Sequence, residues 1–154
     1  MARLWRITSK KWALDTSCEG ARLYGGRWNP IGYPVMYAGS TIELCALEKF
    51  VHLAGVPAPP LVLVAIDVPD DESLITRVLL PDMPPGWSDL PMSTSAHEFG
   101  RAWLDAAAQL ILMVPSTIVP EAFNAVINPA HPAYKKIRLQ ILREFSFDAR
   151  MWKT

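Results

Sequence analysis

Val35-Met36-Tyr37-Ala38, then Gly39, then Ser40-Thr41-Ile42-Glu43-Leu44-Cys45-Ala46-Leu47-Glu48, is the stretch on which the fold turns. Val35 to Ala38 is an apolar run of strand length. Ser40-Thr41-Ile42-Glu43 has the spacing of a capping box, with Ser40 as N-cap and Glu43 reaching back to its amide. The helix it opens is expected to run to about Ala54 and to stop before Gly55 and Pro57. On a helical wheel Leu44, Leu47, Phe50, Val51 and Ala54 share one apolar arc, and Glu48 lies at its edge. A carboxylate at the margin of a buried face is one that a pocket can use. The plain alternative is a solvated glutamate paired with a neighbour, and periodicity does not decide between them.

Outward from this unit, the chain reads as more strands than helices. Leu4 to Thr8 alternates and is a first strand, and Ser9 to Pro34 is a long glycine- and aromatic-rich loop whose Trp and Tyr content argues for order. Leu61 to Val68 is continuous enough for a central strand. Pro69 to Met92 is connection, with a short strand through Leu74 to Val78 and with Trp87 as a lid or staple. Ser95-Ala96-His97-Glu98 spells a second capping box, opening a helix with Phe99, Ala102, Trp103 and Ala106 on one core stripe. Leu110 to Val114 is a buried strand ended by Pro115, which leaves Ser116 at a carboxyl end as a functional hydroxyl or a plain turn former. Ala122 to Ile127 is a strand containing Asn124, Asn128 to Pro132 a rigid turn, and Lys136 to Phe147 a last strand. Short strands with two inserted helices predict an α+β fold, a mainly antiparallel twisted sheet with one face covered by helices.

Bulk properties narrow the function. A chain of 154 residues, 51% hydrophobic and 19% charged, is expected to be one globular domain over residues 1–154. Its 14 prolines against 8 glycines favour short connections. Fifteen cations balance 15 anions, whereas a protein bound to a nucleic-acid backbone usually carries a basic excess. Cys18 and Cys45 make no disulfide framework, no apolar run reads as a signal peptide, and none approaches the ~20 residues that span a bilayer. A soluble protein of a reducing cytoplasm is the expectation, without membrane or direct nucleic-acid partner. His52, His97 and His131 show no metal-site spacing. The Walker, Gly-x-Ser-x-Gly and Gly-x-Gly-x-x-Gly motifs are absent.

Chemistry concentrates in Gly26-Arg27-Trp28-Asn29-Pro30, Tyr37 and Glu48. Arg27 offers a planar fork to a phosphate or carboxylate. Trp28 or Tyr37 can present a flat face to a ring, above all a cationic one. The set suits an anionic, aromatic, cationic-ringed ligand such as a nicotinamide dinucleotide. The competing reading makes Arg27 a loop cation and Trp28 a core anchor.

With Arg27, Glu48 and Ser116 in that order, the chain resembles the RES-domain family, named for an arginine, a glutamate and a serine. The resemblance runs through Leu4-Trp5-Arg6-Ile7, Gly26-Arg27-Trp28-Asn29-Pro30, Gly32, Val35-Met36-Tyr37-Ala38, Ala46-Leu47-Glu48, Val114-Pro115-Ser116, Asn124 and Asn128-Pro129-Ala130-His131-Pro132. It implies an ADP-ribosyltransferase-like fold and the toxin half of a bacterial toxin–antitoxin pair acting on NAD+ as substrate. Hydrolysis or phosphorolysis of the nicotinamide–ribose bond is the leading activity, with inorganic phosphate as a co-substrate in the second case and no true cofactor. Transfer of ADP-ribose to a protein, or a non-catalytic binding module, are the alternatives. The implied partner is a helix-turn-helix antitoxin that occludes the site within a larger hetero-oligomer. On this resemblance Arg27 orients the substrate's phosphate or nicotinamide-ribose end. Tyr37, supported by Trp28, packs on the nicotinamide, Glu48 stabilises the ribosyl cation, and Ser116 bonds the ribose or the amide. Arg6 and Asn124 meet the substrate's polar edges.

Overall fold

The computed structural model describes residues 2–152; Met1, Lys153 and Thr154, which the expected 1–154 domain includes, lie outside the described residues. The alternating start forms strand β1 (Ala2–Ser9). In chain order follow a short helix α1 (Glu19–Tyr24), β2 (Met36–Gly39), α2 (Ile42–Leu53), β3 (Leu61–Val68), β4 (Ile75–Arg77), α3 (Thr94–Ala106), β5 (Ile111–Pro115), β6 (Phe123–Ile127) and β7 (Arg138–Phe145). These form one seven-stranded sheet in the order β4-β5-β6-β2-β1-β3-β7. Every pairing is antiparallel except β4 with β5, where the long connection through α3 supplies the crossover that a parallel pair needs. The architecture is the α+β, mainly antiparallel sheet that the pattern predicts.

Side-chain alternation divides the core between the two faces of the sheet. Leu4, Met36, Val64, Ile66, Met113 and Ile127 belong to one apolar cluster, closed by Ala13, Cys18, Ala133 and Ile137 from the loops. On the other face α3 packs over Leu112, Val114 and Val126, with Trp28 between. The first half of α2 covers Ile7, Leu61 and Leu63 through Cys45. All of β3 except Asp67 is buried, as a central strand requires.

One register feature prepares the site. β1 pairs with β3 along its whole length, from Ala2↔Val68 to Ser9↔Leu61, yet meets β2 only at Trp5↔Gly39. The sheet parts there, and Cys45 Sγ donates to the Trp5 carbonyl at 3.1 Å at the fork. A Cβ on Gly39 would stand 2.7 Å from that sulfur, so the closest approach of α2 to the sheet depends on a glycine.

Several local expectations shift. The cap of α2 is Thr41, whose hydroxyl accepts from the Leu44 amide at 3.1 Å, not Ser40. Its buried side is Leu44 and Cys45; Val51 is 51% exposed, because the second half of the helix overhangs the sheet. The cap of α3 is Ser93, two residues earlier than the box at Ser95, and the helix is rotated accordingly. Ala96, Gly100 and Leu104 face inward with Phe99 and Trp103 beside them, while Ala102 and Ala106 are exposed. Small residues at the contact carry little hydrophobic weight, which hid the true stripe. The segment from Ser9 to Pro34 is not loop throughout, since it contains α1 and a turn of 3-10 helix at Lys10–Trp12.

Candidate active site

Glu48 is carried by α2 towards the sheet face that β5 and β6 share. Ser116 Oγ and Asn124 Nδ2 both donate to its Oε1, each at 2.7 Å. Its other oxygen has no partner among the described residues. Ser116 is fully buried, at 0% exposure, at the carboxyl end of β5. Its hydroxyl also accepts from the amides of Ile118 and Val119, at 3.0 and 3.2 Å. One hydrogen and two lone pairs are then all in use, so nothing on Ser116 remains for a ribose or an amide. It orients Glu48, a change from the substrate contact that the resemblance implies. Asn124, on the same face of β6, gives Glu48 one N–H and keeps its Oδ1 and second N–H without partners among the described residues.

The loop at residues 26–30 is anchored from three sides. Asn29, at 0% exposure, donates from Nδ2 to the carbonyls of Ala21 and Tyr33. Its Oδ1 accepts from the Tyr37 hydroxyl at 2.5 Å, and that hydroxyl accepts from the Trp28 amide at 3.0 Å. Burial raises the Tyr37 phenol above its ordinary value, partly offset by these bonds and by the nearby Arg27 charge. Tyr37 is therefore a neutral phenol whose hydroxyl is spent on positioning this loop. His97 Nε2 on α3 stands 2.6 Å from the Gly26 carbonyl, an oxygen that can only accept, so the ring holds its proton there.

Trp28 is 3% exposed, stacked on Trp87 at 6.4 Å and meeting the edge of Phe99 at 6.0 Å. With no open face it is a core anchor, not a surface for a substrate ring. Trp87 is the staple. Its carbonyl and that of Asp89 accept from Arg27 Nη1 at 2.8 and 3.0 Å, so Arg27 ties residues 87–89 to the site loop, and its Nε and Nη2 have no partner among the described residues.

Arg27, Tyr37, Asn124, Glu48 and Ser116 thus follow one another across one face of the sheet. Tyr37 and Gly39 pair with Val126 and Asn124 in register, and the Arg27 charge reaches the Tyr37 hydroxyl. Arg6 lies on β1 just past the fork, partly buried, its ionisation disfavoured by that burial. His97, Cys45 and Gly100 belong to the site's support but stood out to no sequence criterion applied to function. Asn29, which shares that support, lies within the Gly26-Arg27-Trp28-Asn29-Pro30 stretch already singled out. Among the described residues no group of three or more His, Cys, Asp or Glu is placed to hold a metal ion, and no helix is long and apolar enough to cross a membrane.

Residues 3–149 match the RES domain. A Prs ADP-ribosylating toxin of Sphingobium sp. (strain YBL2) is 40% identical over 96% of this chain and 94% of its own length. A protein named toxin Res from Photorhabdus laumondii is 33% identical over 97% of both chains. Among solved structures, the crystal structure of the M. tuberculosis MbcT–MbcA toxin–antitoxin complex contains a chain that superposes with a TM-score of 0.70 at 20% identity, covering 98% of this chain and 86% of that one. At that identity the likeness is one of fold.

Proposed function

The chain belongs to the RES domain family, and from that premise and the site we propose that it is the toxin of a toxin–antitoxin pair that breaks the nicotinamide–ribose bond of NAD+. One observation carries the reading. The Glu48 carboxylate is held through Oε1 by two donors at 2.7 Å, which leaves its other oxygen aimed by neighbours it cannot escape. A preorganised carboxylate of this kind stabilises an oxocarbenium-like ribose without reorganising as charge develops.

In this scheme the C–N bond breaks with its electron pair leaving on the nicotinamide, whose ring becomes neutral and needs no proton. The acceptor oxygen bonds to the same carbon, and Glu48 takes or steers the proton it gives up. Arg27, with two nitrogens uncommitted, draws the anionic part of the dinucleotide towards the loop at residues 26–30. The open amide edge of Asn124 supplies a further polar contact. Water gives free ADP-ribose, and inorganic phosphate gives its phosphorylated counterpart.

Incubating the purified protein with NAD+, with and without phosphate, and identifying products by mass spectrometry tests this. Nicotinamide released with stoichiometric small-molecule ADP-ribose is the expected result, and intact NAD+ overturns it. The name of the 40% identical Sphingobium relative favours a second reading, transfer of ADP-ribose to a protein. In a treated lysate that route yields a modified protein and little free ADP-ribose.

The same reading supplies a helix-turn-helix antitoxin that covers the site within a hetero-oligomer, and a cytoplasmic place of action. Strong expression alone should arrest growth, and co-expression with the small neighbouring helix-turn-helix protein should restore it. Unimpaired growth on strong solo expression counts against the toxin.

A further inference from the structure

Three contacts of α2 lead to three parts of the sheet. Cys45 meets β1, through its bond to the Trp5 carbonyl. Glu48 reaches the side where β5 and β6 lie, and Phe50 reaches the other side, where the chain leaves β7. At about 100° per residue, Glu48 and Phe50 are about 200° apart around the helix, so they brace it from nearly opposite sides.

The second half of α2 has little else to hold it. Among the described residues, none from Leu47 to Leu53 belongs to the three apolar clusters of the core. These side chains make no ion pair with a described residue, and Glu48 alone among them hydrogen-bonds to another element. Phe50 instead enters an aromatic cluster. Its ring centre lies 5.5 Å from that of Phe147 and 5.1 Å from that of Trp152. Phe147 meets Trp152 edge to face at 5.8 Å, and Phe145, the last residue of β7, at 5.2 Å. Edge-to-face pairs have a preferred geometry, so the cluster sets the orientation of Phe50 as well as covering it. Trp152 is brought there by the turn Ala149–Trp152, which Asp148 opens: its carboxylate accepts from the Arg150 amide and its carbonyl from the Met151 amide, each at 2.9 Å. Beside the rings lies an apolar hollow of about 550 Å³, whose lining includes Pro57, Pro59, Leu61, Phe145, Phe147 and Trp152. Trp152, 39% exposed on the rim of this hollow, can be truncated without opening a hole in the core. With Phe50 released, the carboxylate that has to do the chemistry would be left to restrain the helix end, and any turn of α2 would draw Glu48 away from Ser116 and Asn124.

We propose that Phe50, Phe147 and Trp152 form an aromatic clasp that fixes the rotation of α2 and so positions Glu48. Residues 147–152 then govern the rate without touching the substrate. The inference rests on the NAD+ reading for the reaction that the clasp serves.

Steady-state kinetics with NAD+ and amide hydrogen exchange of the whole chain test it, using Trp152→Ala and Trp152→Phe. Trp152→Ala should lower kcat about ten- to hundredfold, the scale set by a misplaced catalytic group, with KM within about twofold. Exchange of the amides of residues 47–53 should quicken about tenfold or more, while those of β3 keep their wild-type protection. Trp152→Phe leaves a ring against Phe50 and should restore most of both. A merely structural residue would weaken protection in α2 and β3 together and leave the kcat of the folded protein unchanged, and that result overturns the clasp. Quickened exchange in α2 with wild-type kcat also overturns it, because Glu48 would then keep its place without the rings, and it leaves the NAD+ reading standing. A wild-type protein that leaves NAD+ intact removes the reading, and faster exchange confined to residues 47–53 in Trp152→Ala would still support the hold of the clasp on α2.

Discussion

Ser116 and Glu48 are 68 residues apart in the chain, and the serine hydroxyl stands 2.7 Å from the carboxylate. The serine is wholly buried and its hydrogen is given to Glu48, so the family's third naming residue acts through the second. Sheet order makes this possible. The end of β5 and the start of β6 lie side by side, and α2 crosses above them from the adjoining β2.

Ser116→Ala removes that donor and strands the amides of Ile118 and Val119. Turnover of NAD+ should fall about ten- to hundredfold with KM within about twofold, since a positioning bond is lost while substrate contacts remain. Stability should fall by about 1–3 kcal/mol for the unsatisfied amides. Steady-state kinetics and a urea titration measure the two effects. A KM that rises with unchanged kcat would return Ser116 to direct substrate contact.

Glu48→Gln keeps an oxygen for Ser116 and Asn124, so the geometry survives while the charge goes. Turnover should drop by about two or three orders of magnitude with folding intact. Activity within tenfold of wild type removes Glu48 from the chemistry.

Arg27→Ala breaks the bonds to the Trp87 and Asp89 carbonyls as well as any ligand contact. KM should rise at least as much as kcat falls, and hydrogen exchange of residues 87–89 should quicken. Unchanged exchange there would show that Arg27 does not hold this segment.

What was legible in the chain is local, and what was not is relational. The strand, glycine and cap around Gly39 locate α2 to within a residue, while the edge position of Glu48 on the wheel leaves a pocket carboxylate and a solvated one equally open. No local pattern, however, says that its partners are Ser116 and Asn124, because that follows from β2, β6 and β5 being neighbours. Nor does spacing reveal that β1 leaves β2 after a single pair. Trp28 and Tyr37 look like ligand platforms in sequence because aromatic type is visible and burial is not. In the fold one is sealed between Trp87 and Phe99, and the other spends its hydroxyl on Asn29.

Gly100 sits in the middle of α3, where propensity alone would favour alanine by about 1 kcal/mol. A Cβ there would meet the Trp28 carbonyl oxygen at 1.8 Å, and that partner is backbone. Gly100→Ala should therefore destabilise, by about 1–3 kcal/mol or more, as overpacking does. It should also disturb the loop that carries Arg27. Thermal melts decide the sign, and a stabilised variant would refute the close approach of helix and loop.

Stability should decline on the alkaline side, and the decline begins with the buried thiols, Cys45 together with Cys18, which burial also raises. Burial pushes the Cys45 thiol up to about 12, while in the unfolded chain a thiol ionises near pH ~8.5. A group whose pKa is higher in the folded state gives its full contribution below the unfolded value and loses it as pH rises through the folded one. The buried phenol of Tyr37 is shifted in the same direction and adds to the fall at higher pH. Unfolding free energies from denaturant titrations should be level up to about pH 8 and then slope down. The slope should be shallower between about pH 8.5 and 10 in Cys45→Ala, which has no thiol to ionise in the unfolded chain. In the native protein at pH ~8 the thiol should resist alkylating reagents that modify it once the chain unfolds. Rapid native-state modification, or identical alkaline slopes for the two proteins, would mean that Cys45 is not sealed at the fork between β1 and β2.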